Sequence, residues 1–553
     1  MSNLKAVKWI YEKAGKVRRA IYVLALINVV LSVISVRLAI VSKELIDSAV
    51  SDPGGIARRG IYLAALILLQ LAIQSVYSAL MVKTDGKIKI NLRTYIFNML
   101  LKKDFGSVGK YHTGELLTRI NSDTDVIAAG LMVIIPETVS VGAQILLSFA
   151  ALFSLDRYLA LLCLAAVPFI AAAACFYSKF IKPLHKKCQS TGGAVRSFMI
   201  ECLQSLFVIK CFIRENEATS RCEKLQYDNY KAVLKRNSIT ITGSIMFYLL
   251  LTAGFYFSMY WCTVKISAGV MTFGTLTAVL QLVGNIQAPI KSVSGIMPQL
   301  YSSVASAERI TELEEMKDDI PCVHTDIGEL YKDLISISFK NVSFKYDKDP
   351  VLENADVTVN KGEFIAVGGD SGIGKSTMFK LMTSVLVPDK GEIVFDTKSG
   401  TAKSAADYRG IFAYVPQTNM LISGSVFENI AFFDKTVTRE GAENAAKLAC
   451  IFDTVNDMQN GFDTVLGEGG AGLSEGQIQR IAIARAIAAD LPFILLDEAT
   501  SALDSETEKQ ILNNLKGLKN KTIIAISHRP EVFNICTAVI TIENGKMKKE
   551  MHV

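Results

Sequence analysis

Gly369-Asp370-Ser371-Gly372-Ile373-Gly374-Lys375-Ser376 follows an apolar run, Phe364-Ile365-Ala366-Val367, and precedes a helix-forming one, Thr377-Met378-Phe379-Lys380-Leu381-Met382. The string fits G-x-x-x-x-G-K-S, and its place between a strand and a helix says more than the string alone. Glycines let backbone amides curl round phosphate oxygens, and a helix N-terminus adds partial positive charge. In that setting Lys375 neutralises charge on the β- and γ-phosphates and the Ser376 hydroxyl ligates Mg2+. Gly369, Asp370, Ser371, Gly372, Ile373, Gly374 and Thr377 complete the cradle. ATP with Mg2+ is the expected ligand, and an α/β P-loop domain the expected fold around it.

Downstream, Phe493-Ile494-Leu495-Leu496-Asp497-Glu498 is an apolar run that ends in two carboxylates. Such a run reads as a fully buried strand, and strand C-terminal ends are where α/β domains place ligands. Asp497 is suited to hold Mg2+ through water, and Glu498 to polarise an attacking water. Alone, the pair would read as two solvated acids in a turn. With a phosphate loop in the same domain it points to phosphoryl transfer.

The rest of the chain differs in kind. Its 553 residues exceed what one compact core holds, so two or more domains are expected. Half the residues are hydrophobic and mean hydropathy is +0.32. Only 20% are charged, against roughly 25% in an average globular chain. A lipid-embedded part joined to a soluble part fits that balance. The net charge of +6 is mild and its basic residues are dispersed, which argues against nucleic acid as a partner. The ten cysteines show no C-x-x-C pair and no zinc-type spacing with histidine. Cys163, Cys175 and Cys262 sit inside apolar runs, where a thiol acts as a small hydrophobe.

A bilayer core of about 30 Å takes roughly 20 helical residues to cross. Six stretches qualify, approximately 20–42, 61–82, 128–153, 157–178, 240–262 and 266–290. The first follows a basic N-terminus and runs on too long for a cleaved signal peptide, so it reads as a membrane helix. Leu155-Asp156-Arg157 forces the third and fourth into a tight hairpin. Lys and Arg accumulate at the N-terminus and in 83–127 and 179–239. The alternate connections hold only Lys43, Arg58 and Arg59, then Arg157, then Lys265. Positive charge marks the cytoplasmic side, so both termini and the nucleotide domain are expected there, in a bacterial inner or plasma membrane. The two basic connections carry helical patterns, so membrane helices are expected to run on into the cytoplasm and turn back. A charged helix, Ala305 to Met316, leads to strand-like alternation from about Leu334. The expected division is a six-helix membrane domain over 1–320 and a nucleotide-binding domain over 334–553.

Leu473-Ser474-Glu475-Gly476-Gln477 opens a second helix-forming run and matches the signature of the ATP-binding cassette (ABC) family. The resemblance covers the whole nucleotide domain, with Glu475 standing where the family most often has glycine. It implies that Ser474, Gly476 and Gln477 contact the γ-phosphate held by the opposite subunit, so that two cassettes close over two ATP molecules. Other positions resemble the family in order. Gln417, in Val415-Pro416-Gln417, resembles the glutamine that touches Mg2+ and relays nucleotide state to the membrane helices. Ser501-Ala502-Leu503-Asp504 resembles the loop that crosses to the other subunit, and His528 the switch histidine on the γ-phosphate. Tyr346, 29 residues before Lys375, stands where the family places an aromatic ring under adenine.

Helix count and domain order resemble the exporter-type half-transporters. Tyr111-His112-Thr113-Gly114-Glu115-Leu116-Leu117-Thr118-Arg119-Ile120-Asn121-Ser122-Asp123-Thr124-Asp125 resembles their first coupling region. Thr464-Val465-Leu466-Gly467-Glu468-Gly469-Gly470 resembles the loop that meets the coupling helices, with Val465 where glutamate is common. The resemblance implies an ATP-driven transporter working by alternating access. Six helices and one cassette call for a second half-transporter, first a homodimer and otherwise a heterodimer. Glu137 and the amides Asn28, Gln70, Gln74, Gln144, Gln281 and Asn285 are candidates to line a substrate path. No peptidase-like extension precedes the first span, an expectation against a peptide exporter that trims its cargo. Lipid, drug-like amphiphile and small peptide stay open as substrates. So do an importer on this fold, for a siderophore-like cargo, and a cassette-gated channel or regulator.

Overall fold

The computed structural model describes residues 3–51, 53–320, 327–346, 349–400, 405–417, 421–470 and 472–551. The chain divides into two compact units. One holds Met1–Met99 and Thr113–Glu315; the other holds Leu100–His112 and Met316–Val553.

The first unit is built on six long helices: α1 (Arg18–Ser51), α2 (Ile56–Leu100), α3 (Thr124–Leu155), α4 (Arg157–Gln204), α5 (Glu215–Ser267) and α6 (Phe273–Glu314). Among the described residues, α1, α2, α3 with the turns before it, and α5 are long and apolar enough to cross a membrane. In α4 and α6 several mid-helix side chains, Cys175 among them, lie outside the described residues. Asp156 makes the tight hairpin between α3 and α4 by accepting the amides of Tyr158 and Leu159 at 3.0 and 3.2 Å. The same carboxylate also accepts from Trp261 Nε1 and Lys265 Nζ, tying in the end of α5.

Two expectations change. The sixth span does not start at 266: Gly269, at φ +70°, ends α5, and the Thr272 side chain caps α6 by accepting the Thr275 amide. The charged stretch from Ala305 is also not a separate helix. It continues α6 without a break, because no glycine or proline interrupts 299–314. Asn28 is buried and donates to Tyr77 Oη and the Pro136 carbonyl, a helix–helix contact. Gln74 and Gln281 are exposed, whereas Gln70, Glu137, Gln144 and Asn285 are half-buried.

The second unit, outside 100–112, holds two principal sheets among its described residues. Strands β1 (Leu334–Tyr346), β2 (Asp349–Asn360) and β4 (Lys390–Thr397) form an antiparallel sheet in the order β2-β1-β4. The other sheet contains β3 (Phe364–Gly368), β5 (Phe412–Val415), β6 (Phe493–Asp497), β7 (Thr522–Ile526), β8 (Ala538–Glu543) and β9 (Lys546–Met551). Its order is β9-β8-β3-β7-β6-β5, parallel except for the β8–β9 hairpin. Every residue of β6 and β7 is buried, which is why those strands read as unbroken apolar runs. Helices α7 (Lys375–Met382), α8 (Glu475–Ala488) and α9 (Ser505–Lys516) complete the frame. Strands β3, β7 and β6 lie side by side, so their C-terminal ends open on one edge.

Candidate functional site

That edge carries the site. The loop 369–374 leaves β3 and enters α7, turning at Gly369 (φ +137°), Gly372 (φ +81°) and Gly374 (φ +112°). At Gly374 a Cβ would lie 2.6 Å from Val351 Cγ1, so both the backbone angle and the space require glycine. Lys375 and Ser376 then fall in the first turn of α7. The Lys375 ammonium is buried and donates to the carbonyls of Gly369 and Asp370 at 2.7 and 3.0 Å. It also donates to His528 Nε2 at 2.9 Å, and burial holds its pKa below the usual lysine range.

Asp497 ends β6 with only 2% of its surface exposed. Its Oδ1 accepts from Ser376 Oγ at 3.0 Å and its Oδ2 from Tyr414 Oη at 2.9 Å. Burial raises the pKa of this carboxyl, and the two hydroxyl donors pull the other way. Ser376 and Asp497 therefore present a hydroxyl and a carboxylate oxygen to one point. Among the described residues no group of three His, Cys, Asp or Glu side chains gathers as a metal cage. The donor set suits a hard cation that takes its other ligands from phosphate and water, as Mg2+ does.

Glu498 follows at φ +50°, a left-handed backbone that is costly for a non-glycine residue. Gln417 Nε2 donates to Glu498 Oε2 at 2.8 Å, and His528 Nε2 lies 3.8 Å from Oε1. Lys375, His528, Glu498 and Gln417 thus form a continuous chain of contacts drawn from four separate segments.

Ser474, Gly476 and Gln477 occupy the first turn of α8, in which Ser474 and Gln477 form a reciprocal capping box. Among the described residues no hydrogen bond joins them to the Lys375 group; Ser474 and Gln477 bond each other instead. A Cβ on Gly476 would stand 2.9 Å from the Ala502 carbonyl, and Gln479 bonds both Ser501 Oγ and the Ala502 amide. Arg529 holds the same loop from the other side through the carbonyls of Ser501 and Leu503 and the buried carboxylate of Glu508. Tyr346 stands at the end of β1, 44% exposed, with its ring perpendicular to that of Phe344 at 5.0 Å.

Tyr414, Gln479 and Arg529 did not emerge from the sequence. Tyr414 is a single tyrosine in a strand, and only the pairing of β5 with β6 sets it beside Asp497. Gln479 had a faint signal, a polar residue among the buried positions of α8.

Comparison with known proteins agrees with this geometry. Residues 21–290 match the family model "ABC transporter transmembrane region", and residues 352–501 match "ABC transporter". The chain is 30% identical over 467 residues to the ATP-dependent lipid A-core flippase of Escherichia coli K12, covering 83% of this chain and 79% of that protein. It is 28% identical over 477 residues to the lipid A-core flippase of Desulfotalea psychrophila, covering 86% and 83%. ABC transporter B family member 1 of Dictyostelium discoideum is 30% identical over 472 residues, and the match spans about half (51%) of that longer protein. A bacterial Atm1-family ABC exporter solved with ATP bound shares the fold, with a TM-score of 0.83, 21% identity and coverage of 97% and 96%.

Proposed function

We propose, because this chain belongs to the ABC transporter family as a transmembrane region fused to an ABC cassette, that it is an ATP-driven exporter of a lipid or similar amphiphile, acting as a dimer of two such chains. The observation that carries the reading is the contact chain of Lys375, His528, Glu498 and Gln417 beside the Ser376–Asp497 pair. The relatives described as lipid A-core flippases support an amphiphilic cargo.

In this reading the triphosphate takes the place of the loop carbonyls as acceptor for Lys375. Ser376, Asp497 and Gln417 would hold Mg2+, which would supply charge neutralisation on the phosphates when bound. Tyr346 offers its exposed ring to adenine. Glu498 takes a proton from the attacking water, and His528 passes from Lys375 to the γ-phosphate. Ser474 and Gly476 act across the dimer, where the N-terminus of α8 faces the phosphate held by the partner. Gln417 bonds Glu498 directly, so it senses the same phosphate that the base attends. The basic connections support a cytoplasmic position for the cassettes.

Two features give this reading measurable consequences. Tyr414 fixes the second oxygen of Asp497, so Tyr414→Phe should raise the half-saturating Mg2+ concentration about tenfold. Nucleotide binding without Mg2+ should not change. Leu206, Phe207, Val208, Phe212 and Ile213, in and just after a short helix (Leu206–Cys211) between α4 and α5, form an exposed apolar tip, with Phe207 and Ile213 each 81% exposed. Such a patch marks a docking surface, here for the cassette of the second chain. Phe207→Ser with Ile213→Ser should therefore leave the chain folded but abolish substrate-stimulated ATP turnover.

The direct test reconstitutes purified dimer in vesicles and follows phosphate release together with movement of a fluorescent lipid. Export requires flux away from the cassette side. Flux toward it would make the chain an importer, and turnover without flux would make it a regulator.

A further inference from the structure

The loop of residues 100–108 and the segment 316–320 pair with each other and are gripped by the C-terminal end of α7, the helix whose N-terminus holds the phosphate loop. Lys103 and Asp318 form an antiparallel bridge, with Asp104 N donating to Lys317 O at 3.0 Å and Asp319 N to Lys102 O at 2.9 Å. Lys103, its side chain only 6% exposed, donates to Met316 O and to Asp318 at 2.7 and 2.6 Å. The pair follows directly on α2 at one end and on α6 at the other.

Arg409 joins this pair to α7. Its guanidinium bonds both oxygens of Asp319, at 2.5 and 3.1 Å, and donates to the carbonyls of Thr383 and Ser384. Those carbonyls lie just past the last turn of α7, where the helix dipole is negative and a cation is favoured. Ser384 takes a left-handed backbone (φ +56°) that turns the chain there. Tyr408, fully buried and stacked on Phe395 at 4.3 Å, fixes the turn that presents Arg409. A second grip lies alongside. Lys380 of α7 sits over the Phe105 ring at 5.9 Å, and Gly106 packs near Leu386. On the membrane side the bases of α3 and α6 are locked by Arg119 to Glu312 and by Arg309 to Asp123.

We infer that Arg409 is a positioning residue that carries the nucleotide state of the phosphate-loop helix into α2 and α6 through this two-stranded clip. The inference rests on the transporter reading above. Tilting α7 on ATP closure moves the Thr383 and Ser384 carbonyls. Arg409 passes that displacement to Asp319, and the paired strands pass it to both helices together. A bidentate arginine–carboxylate pair suits this use, because it resists rotation as well as separation.

The test uses the Glu498→Gln dimer, with its native cysteines replaced and one spin label per chain. The label sits either at Lys224→Cys on exposed α5 or at Lys519→Cys on the cassette. Electron–electron distance measurements are made with and without ATP and Mg2+. With Arg409 intact, ATP should change both inter-subunit distances. With Arg409→Ala the Lys519 distance should still change, and the closed fraction reported at Lys224 should fall about tenfold in its ratio to the open one. Asp319→Asn should act in the same direction, and Arg409→Lys less. An unchanged Lys224 response in Arg409→Ala overturns the inference. So does loss of both responses in all three variants, which would give Arg409 a role in cassette stability alone. ATP turnover in the chain with native Glu498 keeps the two claims apart. Inactivity there counts against the transporter reading, and normal turnover with an unmoved Lys224 pair counts only for the clip.

Discussion

Glu498→Gln is expected to bind ATP with Mg2+ as well as the native chain and to lose turnover by about 10²–10⁴-fold, the range a positioned general base supplies. The amide keeps the shape of the side chain and the bond from Gln417, so the change removes basicity and little else. The strained backbone at φ +50° would persist, because it is imposed by the turn after β6 and not by the carboxylate. Phosphate release and equilibrium nucleotide binding, measured on the same preparation, separate the two effects. Near-native turnover would show that Glu498 is not the base.

The second large effect belongs to the signature turn. Gly476→Asp places a Cβ 2.9 Å from the Ala502 carbonyl and a negative charge at the helix N-terminus that we propose faces the partner's phosphate. Turnover should fall by at least about 10²-fold, as when a preorganised donor to a phosphoryl group is lost. Each chain should still bind ATP, since the Lys375 contacts lie elsewhere in its own cassette. Ser474→Ala is the milder control: it removes the cap on Gln477, worth about 1 kcal/mol to the helix. It should reduce turnover while the fold survives.

What could be read in the sequence is what is local in the sequence. The phosphate loop, the Asp497–Glu498 pair and the Ser474 turn are each contiguous strings beside an element that their own composition predicts. Asp156 declared its hairpin for the same reason. Tyr414 and Arg409 could not be read, because each works through a partner more than 80 residues away that only the sheet or a turn brings near. The division of the chain was obscured in the same way. Residues 100–112 look like part of a membrane connection, and pairing with 316–320 is what places them in the second unit. The antiparallel sheet of β1, β2 and β4 also went unforeseen as a separate sheet, since its strands alternate much as the edge of a mixed sheet would.

The central claim is that each ATP site is completed by a second copy of this chain. Co-expression of a Lys375→Ala chain and a Gly476→Asp chain, each with its own tag, followed by capture of doubly tagged dimers, tests it most directly. In such a dimer one site has both of its halves damaged. The other combines an intact phosphate loop from one chain with an intact Ser474–Gln477 turn from its partner. The account predicts that both parental dimers are inactive and that the mixed dimer regains Mg2+-dependent ATP turnover from its one intact site. Mixed dimers that stay as inactive as both parents, while the Gly476→Asp chain within them still binds ATP, would contradict it.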